Sequence, residues 1–180
     1  MWLSLIYALG VQATVLMALD LDALAQKADM VMRAQVLSAQ TETRGNPSRI
    51  LTDVELELLE CWKGNCPRVV TALVMGGREG GIEQQLSGAA EFTPGEECVV
   101  FLKAHGQNHF SVLGMAQGKY RLEWQPHSSE PMAIPEEVKA ELVYSNAQHH
   151  AMPLRREMPL SLLRKRVQST LAASGTEGAP

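Results

Sequence analysis

Charge is absent from the start of this 180-residue chain: the first nineteen residues, MWLSLIYALGVQATVLMAL, hold no Asp, Glu, Lys, Arg or His. Basic residues are also in deficit, 16 Lys and Arg against 20 Asp and Glu, for a net charge of -4. A duplex binder needs a basic footprint to release counterions, so nucleic acid is excluded as the main partner. Aromatics make up only 5%, and nine Met fill part of the apolar volume. No Ser or Cys sits in a nucleophile-elbow context, and no catalytic motif is present. The three cysteines are too few, and too far from histidine, for the two close ligand pairs of a zinc ribbon or finger. What remains is a chain of ordinary globular composition, long enough for one domain with a hydrophobic core.

The uncharged N-terminus is nineteen residues of nearly continuous apolar character, interrupted by Gln12 and Thr14. Val-Gln-Ala at 11–13 suits signal-peptidase cleavage after Ala13, although no positive n-region precedes it. Residues 1–13 are therefore expected to be a signal peptide, and the mature protein to be periplasmic or secreted. The competing reading is a first helix buried in a cytosolic domain. No later stretch is long enough to span a membrane.

Beyond it, Asp20 is placed to cap a short helix with Leu21, Leu24, Ala25 and Ala28 on one face. The period then falls to two. Met30, Met32, Ala34 and Val36 share a strand face, TETRGNPS at 41–48 reads as a polar turn, and Ile50 to Leu59 alternates apolar residues with Asp53, Glu55 and Glu57. Val69 to Met75 reads as a strand buried on both faces, and GGREGG at 76–81 opens a long connection with a short strand at Ile82 to Leu86. ECVVFLK at 97–103 reads as a central strand. Phe110 to Leu113 and Lys119 to Trp124 read as a last pair around Gly114 to Gly118. Five or six antiparallel strands at this spacing predict a mainly β fold, a small barrel or sandwich. The β-barrel domain is assigned to 20–124, a linker and C-terminal helical extension to 125–174, and a disordered tail to 175–180. Within the extension, Gln125 to Ile134 is the linker and Pro135 to Tyr144 is predicted helical. Pro159 opens a second helix with Leu160, Leu163, Val167 and Leu171 on one stripe.

Candidate sites are few. Cys61 and Cys66 flank a Trp-Lys-Gly-Asn turn, and in an exported chain a disulfide closing that turn is the simplest reading. A bridge from either to Cys98 remains open on sequence alone. Otherwise Cys98 is a buried small hydrophobe. GGREGG lacks the Gly-Lys-Ser/Thr of a phosphate loop and reads as a flexible loop or bulge. His105, His109, His127, His149 and His150 read as solvated surface, so no metal or cofactor is expected. Arg155, Arg156, Arg164, Lys165 and Arg166 form a basic stripe beside the last apolar stripe. It fits either a partner surface, including peripheral contact with an anionic membrane, or the snorkelling rim of a packed helix.

Four stretches, ADMVMRAQVLSAQTE, RILTDVELELLECWKGNC, FTPGEECVVFLK and GMAQGKYRLE, occur in an order that resembles a group of uncharacterised exported bacterial proteins. The likeness spans about Leu21 to Glu123. A weaker likeness is to netrin and metalloproteinase-inhibitor (TIMP-like) domains. They too open a strand after Ala-Asp and reach a Lys-Gly turn, here Lys63-Gly64. That resemblance implies an OB-type five-stranded barrel. It does not carry over inhibition, because those inhibitors chelate the protease zinc through a mature N-terminal cysteine, and Ala13 and Thr14 offer none. The expected function is an exported, non-enzymatic binding module engaging a protein or cell-surface partner. The alternatives are a protease-inhibitor-like domain, or a membrane-associated structural protein held by an uncleaved N-terminal segment.

Overall fold

The computed structural model describes residues 14–106, 109–144 and 155–176. The expected signal peptide at 1–13, His149 and His150, and residues 177–180 lie outside the described residues. Strand β1, Val15–Met17, leads into helix α1, Leu21–Lys27. The Asp20 carboxylate accepts from the Ala23 amide at 2.7 Å, so the expected cap is in place. Leu21, Leu24 and Ala25 face inward.

Two 15-residue strands follow, β2, Met30–Arg44, and β3, Arg49–Lys63, paired from Val31 and Lys63 to Arg44 and Arg49. The polar stretch from Thr41 to Arg44 belongs to the ladder, so the expected eight-residue turn shrinks to 45–48. Thr41 pairs with Thr52 and Thr43 with Ile50, β-branched pairs that suit a pleated surface without an apolar alternation. Strand β4, Val69–Met75, adds to β3. Only Val70 and Ala72 are buried in it, while Val69 and Met75 are exposed, so it is covered on one face rather than two. GGREGG builds a hairpin: β5, Gly77–Glu79, pairs with β6, Ile82–Gln84.

Strand β7, Glu97–Ala104, lies antiparallel to β2 along one edge. Its other edge is shared. The end near Ala104 pairs with β8, His109–Val112, which also runs parallel to β4. The end near Cys98 pairs with β9, Lys119–Glu123. The two strands expected to form a last pair are thus each bonded to β7 and not to one another. A 3-10 turn at Met115–Gly118, with Gly118 against the Leu113 carbonyl, carries the chain from one half of β7 to the other.

The first part of the extension, expected as a linker to Ile134 and a helix from Pro135 to Tyr144, holds two short strands instead. β10, Met132–Pro135, pairs with β9, and β11, Glu141–Val143, runs parallel to β1. Pro135 sits opposite Tyr120 in the ladder, and the Glu136 amide donates to the Lys119 carbonyl at 3.0 Å. The backbone at Pro135 is extended and paired, where the helix was expected to open. β12, Met158–Pro159, ends the sheet against β10 and leads into α2, Leu160–Thr176. The helix therefore runs past Gly175, where the tail was expected to begin.

Two apolar layers result. Val31, Val99, Phe101 and Tyr120 meet both helices, including Leu160, Leu163 and Val167. Met30, Met32, Val36, Val54, Leu56, Cys98, Val100 and Leu102 fill the other side of the sheet. The unbroken apolar run from Cys98 to Leu102 explains why β7 is buried on both faces.

Candidate functional site

Along β2 and β3 the residues facing the second layer become smaller and more polar towards the hairpin tip, from Val36 and Leu56 to Ala39, Thr41 and Thr52. That end of the layer is unfilled. A cleft of about 410 Å³ opens there, floored by Ala39, Thr41, Thr52, Val54 and Val74 and walled by residues 76–78 and 83–92.

The first wall depends on glycine. Gly76 and Gly77 have φ of +95° and +139°. A Cβ on Gly76 would lie 2.5 Å from the Gln84 carbonyl oxygen, and one on Gly77 2.5 Å from Thr52 Oγ1. The Thr52 hydroxyl donates to the Gly76 carbonyl at 2.7 Å and lies 2.9 Å from Thr41 Oγ1, which ties the hairpin base to the floor. Two ion pairs mark the rim, Arg78 with Glu83 at 2.5 Å and Lys139 with Glu91 at 2.8 Å. The Lys139 ammonium holds the Glu91 carboxyl below its usual range, and Glu91 raises Lys139 in return.

The second wall is anchored by a residue that sequence reasoning passed over. Lys119 is buried, yet its Nζ lies 2.7 Å from Glu96 and 3.5 Å from Glu136. It also donates to the Glu91 carbonyl and sits 4.5 Å from the centre of the Phe92 ring, a cleft residue. Burying an ammonium is costly without such compensation. The neighbouring Gln117 is buried too. It accepts from the Leu19 amide at 2.7 Å and donates to the carbonyls of Met17 and Gly114. The stretch Gln117-Gly118-Lys119 therefore ties β1, the cleft wall and β9 together. No local pattern signals this, since alternation places Lys119 with Arg121 and Glu123, and its burial follows from pairing with Val100 of β7.

The turn between Cys61 and Cys66 is closed by a disulfide, with sulfurs 2.05 Å and Cα atoms 5.8 Å apart. Cys98 is free and buried, which removes the alternative bridge. Burial pushes its thiol up to about 12, the reverse of a reactive cysteine. Cys66 precedes β4 by three residues rather than starting it. The enclosed turn seats α1. Lys63 Nζ donates to the carbonyls of Ala25 and Gln26, both at 2.8 Å, and Gly64 packs on the Asp29 carbonyl. A cation at the C-terminal end of a helix also complements its dipole.

The basic stripe divides. The Arg155 guanidinium, lowered by burial, donates to the carbonyls of Ala116, Gln117 and Glu136, so it is part of the frame. Arg164 pairs with Glu60 at 3.1 Å. Burial pushes the Glu60 carboxyl up, but Trp62, Arg33 and Arg164 together hold it below its usual value. Arg156, Lys165 and Arg166 are exposed. His105, His109 and His127 are exposed as well, and no group of three or more possible metal ligands occurs among the described residues. Among the described residues, no helix is long and apolar enough to cross a membrane.

No protein-family model matches the chain, and no curated protein matches it.

Proposed function

We propose that the protein is an exported, non-enzymatic binding module for a protein or cell-surface partner, and that the cleft between β2–β4 and residues 76–92 is its binding site. The observation that carries this reading is the cleft itself. Its volume of 410 Å³ lies in the usual range of ligand sites, and its floor is interior-facing strand residue rather than surface. The charged rim groups are already paired with one another. That supports recognition over acid–base chemistry, which needs a group poised to exchange a proton.

The scaffold reads as an OB-type barrel. β2, β3, β4, β8 and β7 pair in sequence, and β7 pairs back to β2, a five-strand circuit with the cleft at one end. This circuit supports the likeness to netrin and TIMP-like domains at the level of fold alone. Export is supported by the disulfide, since such bonds persist in oxidising compartments. Membrane anchoring through α2 has less support. Three exposed cations are worth about 3 kcal/mol at an anionic surface, too little for stable attachment without a second signal.

Two measurements test the proposal. Fractionation and N-terminal sequencing should find a periplasmic or secreted chain beginning at Thr14. A photo-crosslinking amino acid at Ser87, in the cleft, should trap a discrete adduct in native cells, while one at Gln168 on α2 should not. An intact Met1 in the cytoplasm would refute export, and equal labelling at both positions would refute the site.

A further inference from the structure

We infer that the cleft takes an extended, uncharged peptide segment of the partner, with an apolar side chain inserted onto its floor. This rests on the cleft being the binding site and adds the chemistry of what enters it. Four observations point the same way. Ala39, Val54, Val74 and Phe92 supply an apolar lining around the Thr41–Thr52 pair. The walls are poor in side chains at Gly76, Gly77, Gly88 and Ala89, which leaves room for an extended chain to lie close against them. The rim carries two cations and two carboxylates already paired, so its charges sum to zero and leave no field to select an anion or a cation. β6, next to the cleft, pairs only with β5 among the described strands, and all three of its residues are exposed, Ile82 at 65%. A strand with one unpaired edge is a template that an extended chain continues.

The test pans a phage-displayed library of random linear dodecapeptides against the full chain with its disulfide intact. The Kd of a synthetic consensus peptide is then measured by fluorescence anisotropy. N-phenyl-1-naphthylamine, a neutral apolar fluorophore, is titrated in parallel. Ala89→Trp and Ser87→Trp each plug the cleft from a lining position that is not fully buried. Trp124→Ala, at an exposed position outside the cleft, is the control. Each variant is used only if its melting temperature matches the parent's within a few degrees.

The expected result is an uncharged, apolar consensus whose Kd rises at least tenfold in both plugged variants and is unchanged in the control. A charged consensus would overturn the inferred chemistry. Peptides that bind the plugged variants unchanged would overturn both the inference and the cleft as the site. If no peptide is enriched while the fluorophore binds the parent and not the plugged variants, the peptide class falls and the cleft stands. If neither probe binds, both readings fall.

Discussion

Lys119 shows how much a single side chain does here. Its ammonium is out of water, so its stability rests on Glu96, Glu136, the Glu91 carbonyl and the Phe92 ring acting together. Lys119→Met removes the cation and leaves two largely covered carboxylates facing each other. Urea unfolding should show a loss of about 3 kcal/mol as a lower midpoint with unchanged slope. A midpoint unaltered by the substitution would mean that the cluster is well solvated. Cys98 gives the opposite kind of prediction. With a pKa pushed up to about 12 and no exposure, its thiol should be silent to Ellman's reagent at pH 8. At that pH only about one thiol in ten thousand is ionised, and access is blocked as well. The native protein should release no chromophore, the unfolded protein one equivalent, and the unfolded and reduced protein three. A fast-reacting native thiol would contradict the burial. Neither residue announces itself in sequence to the same degree. A cysteine between Glu97 and Val99 on an apolar strand reads as buried, but a lysine beginning Lys-Tyr-Arg-Leu reads as solvent-facing. Its partners lie at 91–96 and 136, and only folding brings them together.

At the level of elements, the C-terminal helix was the most legible part of the chain. Leu160, Leu163 and Val167 form a buried stripe and Leu171 packs on its edge, as the 3.6-residue period implies. Each fully buried aliphatic side chain contributes about 2 kcal/mol by transfer from water. Leu163→Ala should cost about 3 kcal/mol, because a cavity is added to the lost transfer. That corresponds to a fall in Tm of roughly 6–12 °C for a chain of this size. Leu163→Asp should lower it further, or aggregate the protein, since it places a charge in the same contact. An unchanged Tm would show that the helix does not dock. The segment at Met132–Val143 was the least legible. Pro135, Glu136 and Glu137 are good first-turn residues, and local propensity favours a helix. Pairing with β9 overrides that preference, because Ala133 is fully buried there and the Glu136 amide has a ladder partner. The same holds at Thr41 to Arg44, where polar residues that read as a turn are carried in strand by the opposite arm.

For the molecule as a whole, the Cys61–Cys66 disulfide acts beyond its own turn, because Lys63 and Gly64 within it hold the end of α1. Replacing both cysteines with alanine should remove about 2 kcal/mol on the chain-entropy model for so short a loop. Calorimetry should give a lower Tm, and amide exchange at α1 should rise with it. Exchange that rises only within 61–66 would show that the clasp is local. The period-two alternation, the Asp20 cap, the turn cysteines and the last helical stripe were all readable in advance, because each depends on residues within a few positions of one another. The sharing of β7 between β8 and β9, the strands at 132–143 and the cleft beneath the β5–β6 hairpin were not. Each depends on which distant segments compete for a strand edge or fill a layer. That competition is settled by burial and backbone pairing between elements, from neighbouring β9 and β10 to β1 and β11, far apart in the chain, and no local pattern records it.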